Sequence, residues 1–181
     1  TEVATEYKDV YDFSPDGVYE DLKLSQPAEY GVGIAYTNNG LTVTADIKQI
    51  TWSKADGYDV FGWDDQTVYS VGTAYDVNSA LTLRAGYSQA DSPLGDGNLP
   101  AATVAGVPMS AQQVIGFNVM GFPAISEQHI TAGLGYQFSK QIGIDLAYVY
   151  SPKETLAVFG NALQTTNEQN SISGALKYKF D

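Results

Sequence analysis

The sequence predicts an all-β protein, a transmembrane antiparallel β-barrel of outer-membrane type, to which these residues supply seven or eight strands. Three observations predict it. Apolar residues alternate with small or polar ones at period two in block after block. Tight turns alternate with long connections. Along each apolar face, aliphatic residues occupy the middle and aromatic residues the two ends.

Taken in order, Glu2–Asp9 reads as a possible eighth strand, cut short. In Glu29–Thr37 the residues Tyr30, Val32, Ile34 and Tyr36 share one face, opposite Glu29, Gly31, Gly33 and Ala35. Asn38-Asn39-Gly40 turns the chain, because Asn and Gly tolerate the positive φ of a tight hairpin. Leu41, Val43, Ala45 and Ile47 then continue the apolar face in a strand ending near Trp52. A second hairpin sets Thr67, Tyr69, Val71, Thr73 and Tyr75 against Leu81, Leu83, Ala85 and Tyr87 across Val77–Ala80. A third pairs Gln128–Phe138 with Ile142–Tyr150 through Ser139-Lys140-Gln141, and the last strand reads as Ser171–Phe180.

The connections at 53–65, 89–126 and 151–170 are long, and short turns of outer-membrane barrels face the periplasm. With that orientation Tyr36, Tyr75, Tyr136, Phe138, Tyr178 and Phe180 fall toward the periplasm, and Tyr30, Trp52, Tyr69, Tyr87, Tyr148 and Tyr150 toward the outside. Val32, Ile34, Val43, Val71, Leu83, Leu134, Ile144 and Leu146 lie between these girdles. A soluble β-sandwich also alternates, but its outer face carries Lys, Glu and Thr. Here the second face is Gly31, Gly33, Ala35, Ser70, Gly72, Ala74, Gly86, Gly133, Gly135, Ala147, Ser173 and Ala175. Such a lining leaves voids in an eight-stranded barrel, whose interior side chains must fill. It suits a wider barrel completed by strands outside this chain. Residues 1–181 are expected to form one barrel region without a second domain or linker.

Composition narrows the function. Charged residues make up 17% of the 181, Tyr appears 13 times and Gly 18 times, against the roughly 25% charged content of an ordinary soluble domain. A net charge of −12 with nine Lys and Arg argues against nucleic acid, which needs clustered cations. Without cysteine and with one histidine, thiolate metal sites are excluded and a transition-metal site is not expected. Thr1 follows no basic or apolar leader, so a signal peptide is expected to be removed or to lie upstream.

Parity places Asp46, Lys48, Arg84, Glu127, Asp145, Lys177 and Lys179 on the inner face with His129. Charges there escape the cost of facing lipid, up to about 2–4 kcal/mol for Arg or Lys at mid-bilayer. Because both signs alternate, they read as a pairing network bracing the wall; the alternative is a polar permeation lining. His129 beside Glu127 suggests a Ser/His/acid site only if a nucleophile converges on it, and no nucleophile motif is present. Hence no catalytic residue is assigned and no cofactor is expected. Gly97–Ser126 is too apolar for a loop wholly in water. Ile115, Phe117, Val119, Met120 and Phe122 are its candidate ligand-binding residues, since Met and Phe adapt to varied apolar shapes; packing on the barrel mouth is the alternative.

The run Ala28–Tyr36, the stretch from Asp46 to Ser53, Leu81–Tyr87 followed by Ser92-Pro93, and Phe117–Pro123 leading into Glu127–Gly133 together resemble the C-terminal half of the FadL/TodX family of outer-membrane transport proteins. The resemblance covers about residue 27 to the end. It implies a barrel of about fourteen strands plugged by an N-terminal hatch, with extracellular loops that capture hydrophobic ligands and release them sideways into the membrane. The hatch and early strands lie outside this chain. The function so implied is passive uptake of long-chain fatty acids or aromatic hydrocarbons by a monomeric barrel set among outer-membrane lipid and lipopolysaccharide. A small structural or adhesive barrel without a ligand path is the alternative, and a membrane-embedded lipid hydrolase the weakest reading.

Overall fold

The computed structural model describes residues 2–4, 11–12, 18, 21, 23–59, 61–94, 102–104, 107–121, 125–158 and 161–180. In chain order the strands are β1 (Glu2–Ala4), β2 (Tyr11–Asp12), β3 (Lys23–Ser25), β4 (Glu29–Asn38), β5 (Leu41–Ile50), β6 (Gln66–Asp76), β7 (Leu81–Gln89), β8 (Ala102–Val104), β9 (Val107–Met109), β10 (Gln128–Gln137), β11 (Ile142–Val158) and β12 (Leu163–Tyr178). One helix, α1, spans Ala111–Gly121, and a single 3-10 turn covers Trp52–Lys54. No helix among the described residues is long and apolar enough to cross a membrane.

Seven strands form one antiparallel sheet in the order β12-β11-β10-β7-β6-β5-β4. Its register keeps every apolar side on the same face. Val43 sits opposite Tyr36, Leu83 opposite Tyr75 and Leu134, and Leu146 opposite Leu134. Of these all but the half-buried Leu134 stand exposed, as do Val32, Ile34, Tyr69, Val71, Tyr148, Ile172 and Phe180, as a surface solvated by lipid requires. Glycine and charged residues meet on the other face: Gly33 opposite Asp46, Gly72 opposite Gly86, Gly133 opposite Arg84 and Gly135 opposite Asp145.

The three tight turns are as the sequence suggests. Asn39 and Gly40 take φ of 48° and 78°, the left-handed pair that matches strand twist in a two-residue hairpin. Asn78 Oδ1 accepts from the N–H groups of Ala80 and Leu81, at 2.8 and 3.0 Å. Ser139 Oγ does the same for Gln141 and Ile142.

Four expectations need correction. The long connection at 151–170 is instead a continuation of β11 and β12, which stay paired out to Val158 and Leu163. At roughly 3.3 Å per residue the 17 residues of β11 reach about 56 Å, well beyond a bilayer core of about 30 Å. A bulge between Ser151 and Glu154 accommodates Pro152, which has no N–H to give the ladder. Second, the eighth strand does not join this sheet: Glu2–Ala4 pairs with Lys23–Ser25 in a separate two-stranded unit, and residues 5–9 lie outside the described set. Third, Trp52 leaves the lipid face, because β5 ends at Ile50 and the 3-10 turn carries the indole into the loops. Fourth, the segment from Gly97 to Ser126 is not only loop, since it contains α1 and β8 and β9.

Candidate functional site

The buried hydrophobic core of the described residues lies in the connections at the long-loop end of the sheet. Phe61 and Trp63, between β5 and β6, pack with Leu94, Val114, Val119 and Ile125, between β7 and β10, while Leu24, Trp52, Tyr58, Leu156 and Val158 border the cluster. Trp52, Tyr58 and Trp63 form a triangle of rings with centroids 4.8–4.9 Å apart, the tilted and edge-on arrangement that aromatic quadrupoles favour. Burial of this kind is what holds connections of such length in one shape.

Each part has a local cause. Ser110 and Gln113 form a capping box that starts α1: Gln113 Oε1 accepts from Ser110 N–H at 2.8 Å, and Ser110 Oγ accepts from Gln113 N–H at 3.4 Å. Trp52 Nε1 donates to Gln66 Oε1 at 2.9 Å, and Gln66 Nε2 donates to the Asp91 carbonyl at 2.6 Å, so one side chain at the start of β6 binds both connections. Asp64 N–H donates to the Pro93 carbonyl at 2.8 Å beside the Trp63–Leu94 bridge. Asp65 accepts from the Ser53 N–H at 3.0 Å. That bond, above all, holds its carboxyl below the ordinary carboxylate range, with the Ser53 hydroxyl and the Lys54 charge adding to it.

Of the apolar candidates, Val119 is 2% exposed and packs inside the cluster, whereas Met120 is 65% exposed. Ile115 and Phe117 are carried on α1, but their side chains lie outside the described set, as does Phe122 entirely. Phe61, Trp63 and Asn118 escape the sequence reading. A signal existed in Phe61-Gly62-Trp63, two large rings in a connection with no period-two pattern to explain them.

The charged candidates fall into two groups. At the short-turn end Arg84 Nη1 reaches Asp145 Oδ1 at 3.3 Å and Lys177 pairs with the other oxygen of that carboxylate. They border a groove of about 410 Å³ lined also by Asn78, Thr82 and Gln137. Farther along the wall Lys48 pairs with Glu29 at 2.9 Å, and Asp46 lies opposite Gly33. His129 is half-buried opposite Ser88. Glu127 Oε1 accepts from the Ser92 N–H at 3.3 Å, tying down the base of a connection, and Lys179 N–H closes the end of β12 on the Gln141 carbonyl. No group of three or more metal-ligating side chains converges among the described residues.

No protein-family model and no curated protein matches the sequence. Solved structures do. The Pseudomonas putida toluene transporter TodX is 26% identical over 92% of this chain, with a TM-score of 0.59. A TodX mutant described as a monoaromatic hydrocarbon channel gives 26% and 0.60 over the same share. The Ralstonia pickettii toluene transporter TbuX, 16% identical over 89% of the chain with a TM-score of 0.52, shares the fold. This chain spans about 40% of the length of TodX. The likeness carried by the sequence motifs is thus one of three-dimensional structure as well: the chain, all-β with a seven-stranded antiparallel sheet, is similar in fold to part of an outer-membrane barrel such as TodX.

Proposed function

We propose that this chain builds part of the wall and mouth of a bacterial outer-membrane channel for passive uptake of hydrophobic small molecules. Monoaromatic hydrocarbons are the first class to test and long-chain fatty acids the second. The observation that carries the reading is the 26% identity to TodX, a toluene transporter, maintained over 92% of the chain. A sheet with lipid-type side chains on one face and a glycine-rich, charge-paired lining on the other suits such a channel. A neutral hydrocarbon offers no charge to recognise, so its affinity comes from apolar area, at about 25 cal/mol per Å². Met120, together with Ile115, Phe117 and Phe122, is the proposed capture surface at the mouth.

In this reading residues 1–181 form a single region of a monomeric barrel of about fourteen strands, with a hatch and further strands contributed by sequence outside the chain. The edges of β4 and β12 that no strand pairs among the described residues are where those strands join. Lipid and lipopolysaccharide surround the apolar face, and the paired charges brace the wall. Movement down a gradient requires no cofactor and no catalytic residue.

One observation favours the alternative, a structural barrel without a ligand path: the packed cluster around Phe61, Trp63 and Val119 covers the long-loop end. Proteoliposomes carrying the full-length protein separate the two. Uptake of labelled toluene above that of protein-free vesicles supports the channel, with labelled oleate testing the second class, and no excess for either compound leaves the structural barrel.

A further inference from the structure

Asn118 is buried, 5% exposed, in a cluster otherwise made of hydrocarbon and rings. Its amide is used at both ends. Oδ1 accepts from Trp63 Nε1 at 2.9 Å, and Nδ2 donates to the Phe61 carbonyl at 2.9 Å. An indole N–H only donates and a carbonyl only accepts, so the pair fixes which way the amide faces. Aspartate keeps the acceptor but loses the donor, and leucine loses both. The partners are 55 and 57 residues away in sequence, on the connection between β5 and β6, whereas Asn118 belongs to α1. At 3.6 residues per turn, Met120 projects from nearly the opposite side of the helix, where it is exposed.

We infer that Asn118 is a positioning residue for hydrocarbon uptake, a two-ended clasp that locks α1 to the β5–β6 connection and so holds Met120 outward at the mouth. The inference rests on the uptake reading above. The clasp acts on capture and not on the path through the barrel, so losing it weakens half-saturation and spares the maximal rate. It also fixes the backbone around Trp52–Lys54, through the ring packing of Trp63 on Trp52.

The test uses Asn118→Leu, Asn118→Asp and Trp63→Phe in the full-length protein, reconstituted in vesicles. Asn118→Asp keeps the size of the side chain in case the leucine variant fails to assemble. Heat-modifiable gel mobility reports the barrel, the concentration dependence of labelled toluene uptake reports capture, and the rate of trypsin cleavage after Lys54 reports the connection. The expected result is an assembled barrel, a half-saturation concentration raised about tenfold at unchanged maximal rate, and faster cleavage. Trp63→Phe added to Asn118→Leu should cause little further change, because the bond is already gone. Unchanged half-saturation in assembled variants, a fall in maximal rate alone, or fully additive effects overturn the clasp. Absence of saturable toluene uptake by the unaltered protein overturns the transport reading instead. The cleavage rate then decides the clasp separately, and an unchanged rate in the Asn118 variants rejects it.

Discussion

Gly135 on β10 faces Asp145 on β11, and the missing side chain of the one gives the carboxylate of the other room to reach Arg84. A Cβ at Gly135 would lie 2.7 Å from Asp145 Oδ1 and 3.0 Å from Arg84 Nη1, closer than packed atoms allow. Gly135→Val therefore sets β-propensity, which favours valine, against the Arg84–Asp145–Lys177 cluster, and the cluster is expected to dominate. We expect a loss of about 1–3 kcal/mol, read as a lower midpoint for heat-modifiable mobility. Gly31→Ala, whose added Cβ would meet nothing nearer than the Ile47 carbonyl at 3.5 Å, should be neutral or gain a few tenths of a kcal/mol through the unfolded chain.

The register divides the wall into a lipid face and an inner face, and arginine tells them apart. Leu83→Arg and Leu134→Arg put a charge into lipid, at about 2–4 kcal/mol near mid-bilayer, and should lower the amount of assembled barrel. Thr82→Arg and Thr131→Arg, on the same two strands but on the other face, should be better tolerated. Equal losses on both faces in a membrane-fraction assay would reject the assignment.

Val119 and Met120 are neighbours with opposite surroundings. Val119→Ser leaves a hydroxyl in an apolar cluster and should loosen the connections, at about 1–3 kcal/mol, as seen by faster proteolysis of intact cells. Met120→Ser should leave proteolysis unchanged and weaken toluene uptake at low concentration. The reverse pattern would mean that Met120 supports packing and that ligand enters elsewhere.

The connection between β5 and β6 should also respond to acid. The Ser53 N–H stabilises the ionised Asp65, whose folded pKa lies below its unfolded value. Its contribution is complete above the unfolded value, about 3.9, and is lost as pH falls through the lower folded value. Acid proteolysis of the connection, followed with pepsin from pH 5 downward, should accelerate in that window, and Asp65→Asn should flatten the response. Identical acid profiles for the two proteins would assign the effect to other carboxylates.

The wall was legible because lipid and strand geometry leave few choices. Val32, Leu83 and Leu134 must be apolar, Gly33 and Gly135 must be small beside Asp46 and Asp145, and both demands recur every second residue. Above the membrane those demands lapse. On the extensions of β11 and β12 the Thr155–Thr166 pair is exposed, while Leu156 and Val158 on the other face border the ring cluster, so the apolar alternation there is short and mixed with threonine. The start of α1 was marked by Ser110 and Gln113, a four-residue signal easily lost in a segment rich in glycine and proline. Partners such as Trp63 and Asn118 carry no shared local signature, because tertiary packing alone brings them together.

The span of the connection between β7 and β10 bears on how the sheet comes together. The hairpin β11–β12 closes over the four residues 159–162, whereas β7 finds β10 only after the 38 residues from Ala90 to Glu127. With closure entropy growing as (3/2)RT ln n, the second event is dearer by roughly 2 kcal/mol. Two ribbons, β4 to β7 and β10 to β12, should therefore zip early and meet along one late seam. The Ala90 N–H, bonded to the Glu127 carbonyl at 2.9 Å, marks the head of that seam. The packed rings above it shorten the search, giving the same side chains a part in the order of assembly.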